Sequence, residues 1–252
     1  MILTPLLLLV LALVGLVAGF VDAIAGGGGL ISVPVLLSVG LPPVAALAIN
    51  KAQGAIGTLI AATTYWRRGY VALRPLLPSV AATFAGSLAG AFTVQRVDTS
   101  WLVIAVPIAL VAISGYFLFA PRLTDADREA RLAFPRYVPA MGLIVGFYDG
   151  IFGPGTGSFM TLGFVLLFGL GVTRAAAHTK VLNLTSNLAA LALFMVAGDV
   201  LWPAAIAMAI GQIAGGYLGA MTGIRFGARL IRPLVVLVSV VLALRLLLTG
   251  HS

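Results

Sequence analysis

Apolar residues in this chain come in long runs, and the runs fall into two sets. In the first half they cover about 4–24, 28–40, 43–65, 75–94 and 100–120; in the second, about 137–152, 157–170, 172–197, 203–224 and 232–249. Most approach the roughly 20 residues that carry a helix across about 30 Å of hydrocarbon. The second run of each set is shorter. Its length of about 13 residues, at about 1.5 Å per residue, covers about two-thirds of that thickness. Each short run follows a helix-breaking stretch, the four glycines at 26–29 or Gly-Pro-Gly-Thr-Gly at 153–157, where backbone can turn sharply. The pattern predicts an all-α polytopic membrane protein built as two repeats. Each is a broken-helix or re-entrant hairpin followed by three transmembrane helices, the first over 1–120 and the second over 137–252, joined by a cytoplasmic loop over 121–136.

The repeat is also visible residue by residue. GFVDAIAGGGG at 19–29 is matched by GFYDGIFGPGT at 146–156, and LAINKAQG at 47–54 by AHTKVLN at 177–183. Asp22 corresponds to Asp149 at an offset of 127 and Lys51 to Lys180 at 129, so two residues are inserted between these landmarks.

Basic residues set the sides. Arg67, Arg68 and Arg74 assign the loop after the third run to the cytoplasm; Arg122, Arg128, Arg131 and Arg136 assign the central loop there, and Arg225, Arg229 and Arg232 the last one. The loop at 198–202, which corresponds to the one around Arg67–Arg74, has no basic residue and falls outside. Corresponding loops on opposite faces make the second repeat inverted relative to the first, with both termini outside. Arg96, close to Asp98, is the loop arginine that this scheme leaves on the outer side. The amino terminus lacks the basic region and cleavage site of a signal peptide and reads as a retained helix.

Composition agrees with the pattern. Apolar residues make up 61% of the chain and charged residues 9%, far below the roughly 25% of soluble domains. The formal charge of +8 lies in short connections without interleaved aromatics, which excludes a nucleic-acid surface. There is no cysteine, hence no disulfide framework or thiolate metal site. His178 has no second histidine near it and joins no metal set; no cofactor is implied.

Against this background Lys51 and Lys180, the only two lysines, carry the most information. Each lies about eight residues into its run, about 12 Å deep. Intramembrane charge is expensive and marks function, although a lysine stem can also snorkel outward. Arg245, near the end of the last run, snorkels in this way. The glycine turns must face protein or water, because lipid does not tolerate irregular backbone. Helices starting there present free N–H groups and a positive dipole end to an anion. Candidate substrate-binding residues are therefore Lys51, Lys180, Gly27, Gly28, Gly29, Gly155, Thr156, Gly157 and Ser158, with Ser32 adding a hydroxyl. Asn50, Thr179 and Asn183 complete the set. Close helix packing through small residues is the bland role of such glycines. Asp22 and Asp149 either cap the helix that follows or pair with the lysines and relay a proton or cation. His178, Gln53 and Asn187 join them as coupling or structural residues. Asn183, Ser186 and Asn187 form one helical stripe, with Thr185 beside it, which lines the interior or bonds across helices.

GFVDAIAGGGGLISVPVLLSVG followed by INK, and AHTKVLNLTSNLAALALFMVAGDVLW, resemble the TauE/SafE sulfite exporter (TSUP) family of bacterial membrane proteins over nearly the whole chain. The resemblance implies a secondary carrier in the bacterial inner membrane for small anions such as sulfite, sulfonates or related organic anions, working as an exporter. Paired broken segments in inverted repeats imply alternating access around a midplane site. A passive anion channel is the alternative. An enzyme acting on lipid-linked substrates would need carboxylate clusters or a histidine metal set, so the chain is read as a non-enzyme. Its partners are the lipid bilayer, a small anionic substrate and a coupling proton or cation; oligomeric state is not legible. The second turn has Gly-Pro-Gly-Thr where the first has four glycines, so the two half-sites need not contribute equally.

Overall fold

The computed structural model describes residues 4–98, 108 and 124–227. The runs near 100–120 (Ile108 apart) and 232–249, together with Arg122, Arg229, Arg232, Arg245 and His251, lie outside the described residues. Regular structure among the described residues is entirely helical. In chain order the helices are α1 (Pro5–Ala25), α2 (Gly28–Ser38), α3 (Pro43–Arg67), α4 (Leu77–Val94), α5 (Phe134–Ile151), α6 (Thr156–Leu166), α7 (Val172–Ala197) and α8 (Trp202–Phe226), with a 3₁₀ turn at Arg74–Leu76 leading into α4. Five of these segments are long and apolar enough to cross a membrane: α1, α3, α4 with its leading turn, α7 and α8. The chain is thus an all-α polytopic membrane protein.

Local chemistry sets the ends. Thr4 caps α1 by accepting the Leu7 N–H at 3.2 Å, and prolines occupy the first turn of α1, α3, α4, α5 and α8, where the missing N–H costs nothing. Pro135 starts α5 at Phe134, three residues earlier than the apolar run suggests, so the connecting segment is helical at its end. The rest of that segment packs onto the α6–α7 corner: Arg128 N–H donates to Gly169 O at 2.7 Å, and Asp125 accepts the Thr173 N–H at 3.2 Å.

α1 and α2 are separated by two residues, 26–27, and α5 and α6 by four, 152–155. The two-residue insertion between the repeats therefore lies in the turn itself. Gly26, Gly153 and Gly155 adopt left-handed φ of 78°, 89° and 86°, where a side chain would be strained.

Packing partners are exchanged between the repeats. α1 lies along α8 and α5 along α4, helix against helix through small residues. Gly15 approaches Met208 and Gly19 approaches Gln212; Gly142 approaches Ser79 and Gly146 approaches Thr83. With the offsets above, these are the same contacts made twice, and in each pair the residue numbers rise together, so the helices run parallel. α3 also runs parallel to α8, Gly57 meeting Gln212 and Tyr65 meeting Gly223. α3 and α7, which correspond in sequence, contact one another in falling register. Trp66 shares an apolar hollow with Val181, Gly54 approaches Asn187, and Ala52 shares a second hollow with Leu191. That is the register of antiparallel helices. Without a hydrophobic force between helices in lipid, such close backbone approach supplies the packing energy.

Gly219 faces Phe20 with no room for a Cβ, and Gly90 faces Phe147 in the same way. Gly219→Val and Gly90→Val are each expected to destabilise by about 1–3 kcal/mol, the usual range for overpacking. Thermal unfolding in detergent checks this, against Ile210→Val on the exposed face, which should leave the midpoint unchanged.

Candidate functional site

Burying an ammonium group requires a counter-charge, and the fold supplies one for each lysine from the opposite repeat. Lys51 Nζ on α3 lies 2.7 Å from Asp149 Oδ2 on α5, and Lys180 Nζ on α7 lies 2.8 Å from Asp22 Oδ2 on α1. The side chains of Lys51, Asp149 and Lys180 are at most 2% exposed, and that of Asp22 is 14% exposed. Neither lysine snorkels. The four charges, first noticed as a repeat signature, form two crossed ion pairs.

The two turns meet between these pairs. Ser158 N–H donates to Gly26 O at 3.2 Å and its hydroxyl donates to Ala25 O at 2.9 Å. Gly26 and Gly157 lie so close that a Cβ on either would collide with the other's backbone. Beside the meeting point is a cavity of about 20 Å³, room for about one water molecule. Asp22, Asp149, Asn50, Gln53, Asn183 and Asn187 line it together with the turn glycines. The ammonium groups are not on its wall. Each is paired with an aspartate that does line it, so the cavity presents two carboxylates and several amides.

The remaining expected residues divide clearly. Ser32 donates its hydroxyl to Asn50 Oδ1 at 2.6 Å, and Thr161 to Thr179 Oγ1 at 3.1 Å. These two bonds occupy corresponding positions and tie each short helix to the long helix after it. Thr156 donates its hydroxyl to Gly153 O at 2.7 Å. Ser32, Thr156 and Ser158, expected to offer hydroxyls to an anion, are thus committed within the protein. Gly27, Gly155, Thr156, Ser158 and Thr179 lie off the cavity wall. Asp22 combines both roles considered for it, accepting the Gly28 N–H at 3.2 Å while pairing with Lys180. In the polar stripe, Asn183 and Asn187 face the cavity, whereas Ser186 works across helices, its carbonyl accepting the Ser87 hydroxyl at 2.6 Å. Thr185 hydrogen-bonds to Val181 O at 2.9 Å, away from the cavity.

His178 corrects an expectation. It belongs to no polar group around Lys180: its Nδ1 lies 2.7 Å from Arg174 O, and its ring packs against Phe134 and Phe164. His178, nearly two turns into α7, reaches the helix-corner aromatics instead.

Gln212 was missed. It is buried on α8, donates to Gln53 across the helix interface and lines the cavity. Its signal was present: an amide alone in an apolar run, on the glycine stripe Gly211, Gly215, Gly219. Gly153 was also underweighted. A Cβ there would lie 3.0 Å from Lys51 Nζ, so glycine keeps space open beside the ammonium.

Comparison with known proteins agrees with this architecture. A family model described as sulfite exporter TauE/SafE matches residues 11–246. The chain is 43% identical over 249 residues to the probable membrane transporter protein YfcA of Escherichia coli (strain K12), covering 99% of this chain and 93% of that one. It is 46% identical over 233 residues to a probable membrane transporter protein of Haemophilus influenzae, covering 92% and 91%. A Bacillus subtilis probable membrane transporter protein, YunE, is 24% identical over 267 residues. No solved structure matches the chain.

Removing one member of a buried ion pair strands the other charge, at about 3–5 kcal/mol, whereas replacing both with apolar residues of similar size is nearly neutral. Lys51→Met is therefore expected to unfold at lower denaturant than Lys51→Met/Asp149→Leu. Equal stability of the single and double variants would contradict the pairing.

Proposed function

Because the chain belongs to the sulfite exporter TauE/SafE family, we propose that this membrane transporter is a secondary carrier of small anions, sulfite, sulfonates or related organic anions, exporting them by alternating access. The observation that carries the proposal is the crossing of the two buried Lys–Asp pairs between repeats around one cavity. An oxyanion competes with a carboxylate for an ammonium group in like chemical terms, so a resting pair can stand in for bound substrate. The amides of Asn50, Asn183 and Asn187 and the N-terminal turn of α2 add neutral donors.

Several contacts support an inverted arrangement of the repeats. Corresponding helices α3 and α7 run antiparallel, and packing partners are exchanged as a two-fold relation requires. α4 follows α7 in rising register, Leu77 near Val181 and Ser87 at Ser186. The ends of α3 and α8 bearing Arg67, Arg68 and Arg225 then share a side with the starts of α4, α5 and α7 bearing Arg74, Arg136 and Arg174. By the positive-inside rule that side is cytoplasmic, which supports an outer amino terminus and an inner-membrane location.

A ligand that binds only the folded protein raises its stability, by about 2.7 kcal/mol at a hundredfold excess over Kd. Sulfite or methanesulfonate is expected to raise the thermal midpoint of the purified protein, and Lys51→Ala and Lys180→Ala to lose that shift. Retention of the shift in both variants would place the anion elsewhere. Saturable counterflow in proteoliposomes is expected; flux that never saturates would mean a channel.

A further inference from the structure

The two ion pairs differ in what else holds them. Asp22 is anchored twice, accepting the Gly28 N–H at 3.2 Å through Oδ1 and the Lys180 ammonium at 2.8 Å through Oδ2. Lys51 and Asp149 hold each other at 2.7 Å, and among the described residues Asp149 has no backbone anchor like the one on Asp22. Both side chains are at most 2% exposed, so this one contact is what offsets the burial of both charges. The glycine opposite, Gly153, leaves space at that ammonium.

From this asymmetry we infer that the Lys51–Asp149 pair alone exchanges during transport: Asp149 accepts one proton, and Lys51 turns from the carboxylic acid to one singly charged anion, while Lys180–Asp22 stays closed as a clasp. The inference rests on the anion-carrier proposal and names its coupling and its substrate charge.

The charges balance. A proton adds to the Asp149 carboxylate, the ion pair opens, and no covalent bond forms to the anion. One proton and one monoanion enter together, so the site's net charge is the same loaded and empty. A dianion would leave one negative charge uncompensated in a buried site, which is strongly disfavoured. Among the described residues, the charged and titratable groups around Asp149 are few. They are Lys51 from α3, Asp22 from α1 on the same cavity, Lys180 from α7 paired with Asp22, and Tyr148 on its own helix, whose hydroxyl donates to Pro154 O at 2.7 Å. α4, packed along α5, brings only the hydroxyls of Thr83 and Ser87; α6 brings glycine, Thr156 and Ser158. Asp149 is therefore the carboxylate whose protonation releases a cation, and Asp22 is held by a backbone bond that protonation does not replace. Recognition of the released site uses Lys51, the Asn50 amide beside it and the first turn of α2.

The test uses the full-length purified protein in sodium-free buffer, with methanesulfonate, whose charge is constant over pH 5 to 8, and sulfate as the dianion. Apparent affinity for methanesulfonate, read from thermal shifts, is expected to weaken by up to about tenfold per pH unit as pH rises. Sulfate should bind far more weakly throughout. Asp149→Asn is expected to bind methanesulfonate with no pH slope, and Asp22→Asn to keep the slope. A slope that survives in Asp149→Asn, or disappears in Asp22→Asn instead, overturns the assignment, as does a requirement for sodium. In proteoliposomes of the wild-type protein, one proton should accompany each methanesulfonate, with no effect of an imposed membrane potential; a potential-driven flux overturns the inference whether or not the variants fold. Anion binding with no pH slope in the wild type would remove this inference and leave the anion carrier standing. Absence of any anion-dependent shift in the wild type would remove the carrier proposal itself.

Discussion

An ammonium group buried in a membrane protein must face an opposite charge, and here each faces one from the other half of the chain. That crossed pairing ties the rest of the structure together. It requires Asp22 and Asp149 to sit at the inner ends of their helices, which requires those helices to stop in mid-protein. The stops need glycine at left-handed φ, and the returning helices need to be short. The two turns must also meet, which Gly26 and Gly157 allow by carrying no side chain. Removing any one of these features would separate a lysine from its partner.

The same crossing explains why helices are exchanged between the halves. α1 packs on α8 and α5 on α4, so neither repeat encloses its own half of the site. Small residues along these interfaces let backbones approach in an environment where apolar burial contributes little. A relative movement of the halves, as the carrier proposal has it, would cross the interface that holds the Lys51–Asp149 pair and the buried Gln53–Gln212 contact. Under the proposed carrier reading, a ligand that favours the opened Lys51–Asp149 pair shifts the population of states in which it is open.

Much of this was legible in the sequence, for identifiable reasons. Helices, short broken segments and the duplication follow from run length, glycine clusters and two lysines in register. The buried positions of Lys51 and Lys180 follow from their rarity and depth. What the sequence did not reveal were contacts between distant segments. That Lys51 pairs with Asp149 rather than Asp22 depends on how the repeats dock, and repeat alignment alone does not encode it. Thr156 and Ser158 looked like ligand donors because they start a helix; the neighbouring Gly153 and Ala25 carbonyls capture them instead. His178 lies beside Lys180 in sequence, yet the helix turns it towards Phe134 and Phe164. Gln212 was overlooked because its value arises only opposite Gln53.

Crystals of the protein grown with selenite, a heavier analogue of sulfite that scatters anomalously, provide the most direct measurement. If the two halves share one anion site built on the crossed pairs, a single strong anomalous peak will lie in the central cavity, within hydrogen-bonding distance of Lys51 Nζ. A saturating soak that leaves this cavity empty and places selenium only on outer surfaces would contradict it.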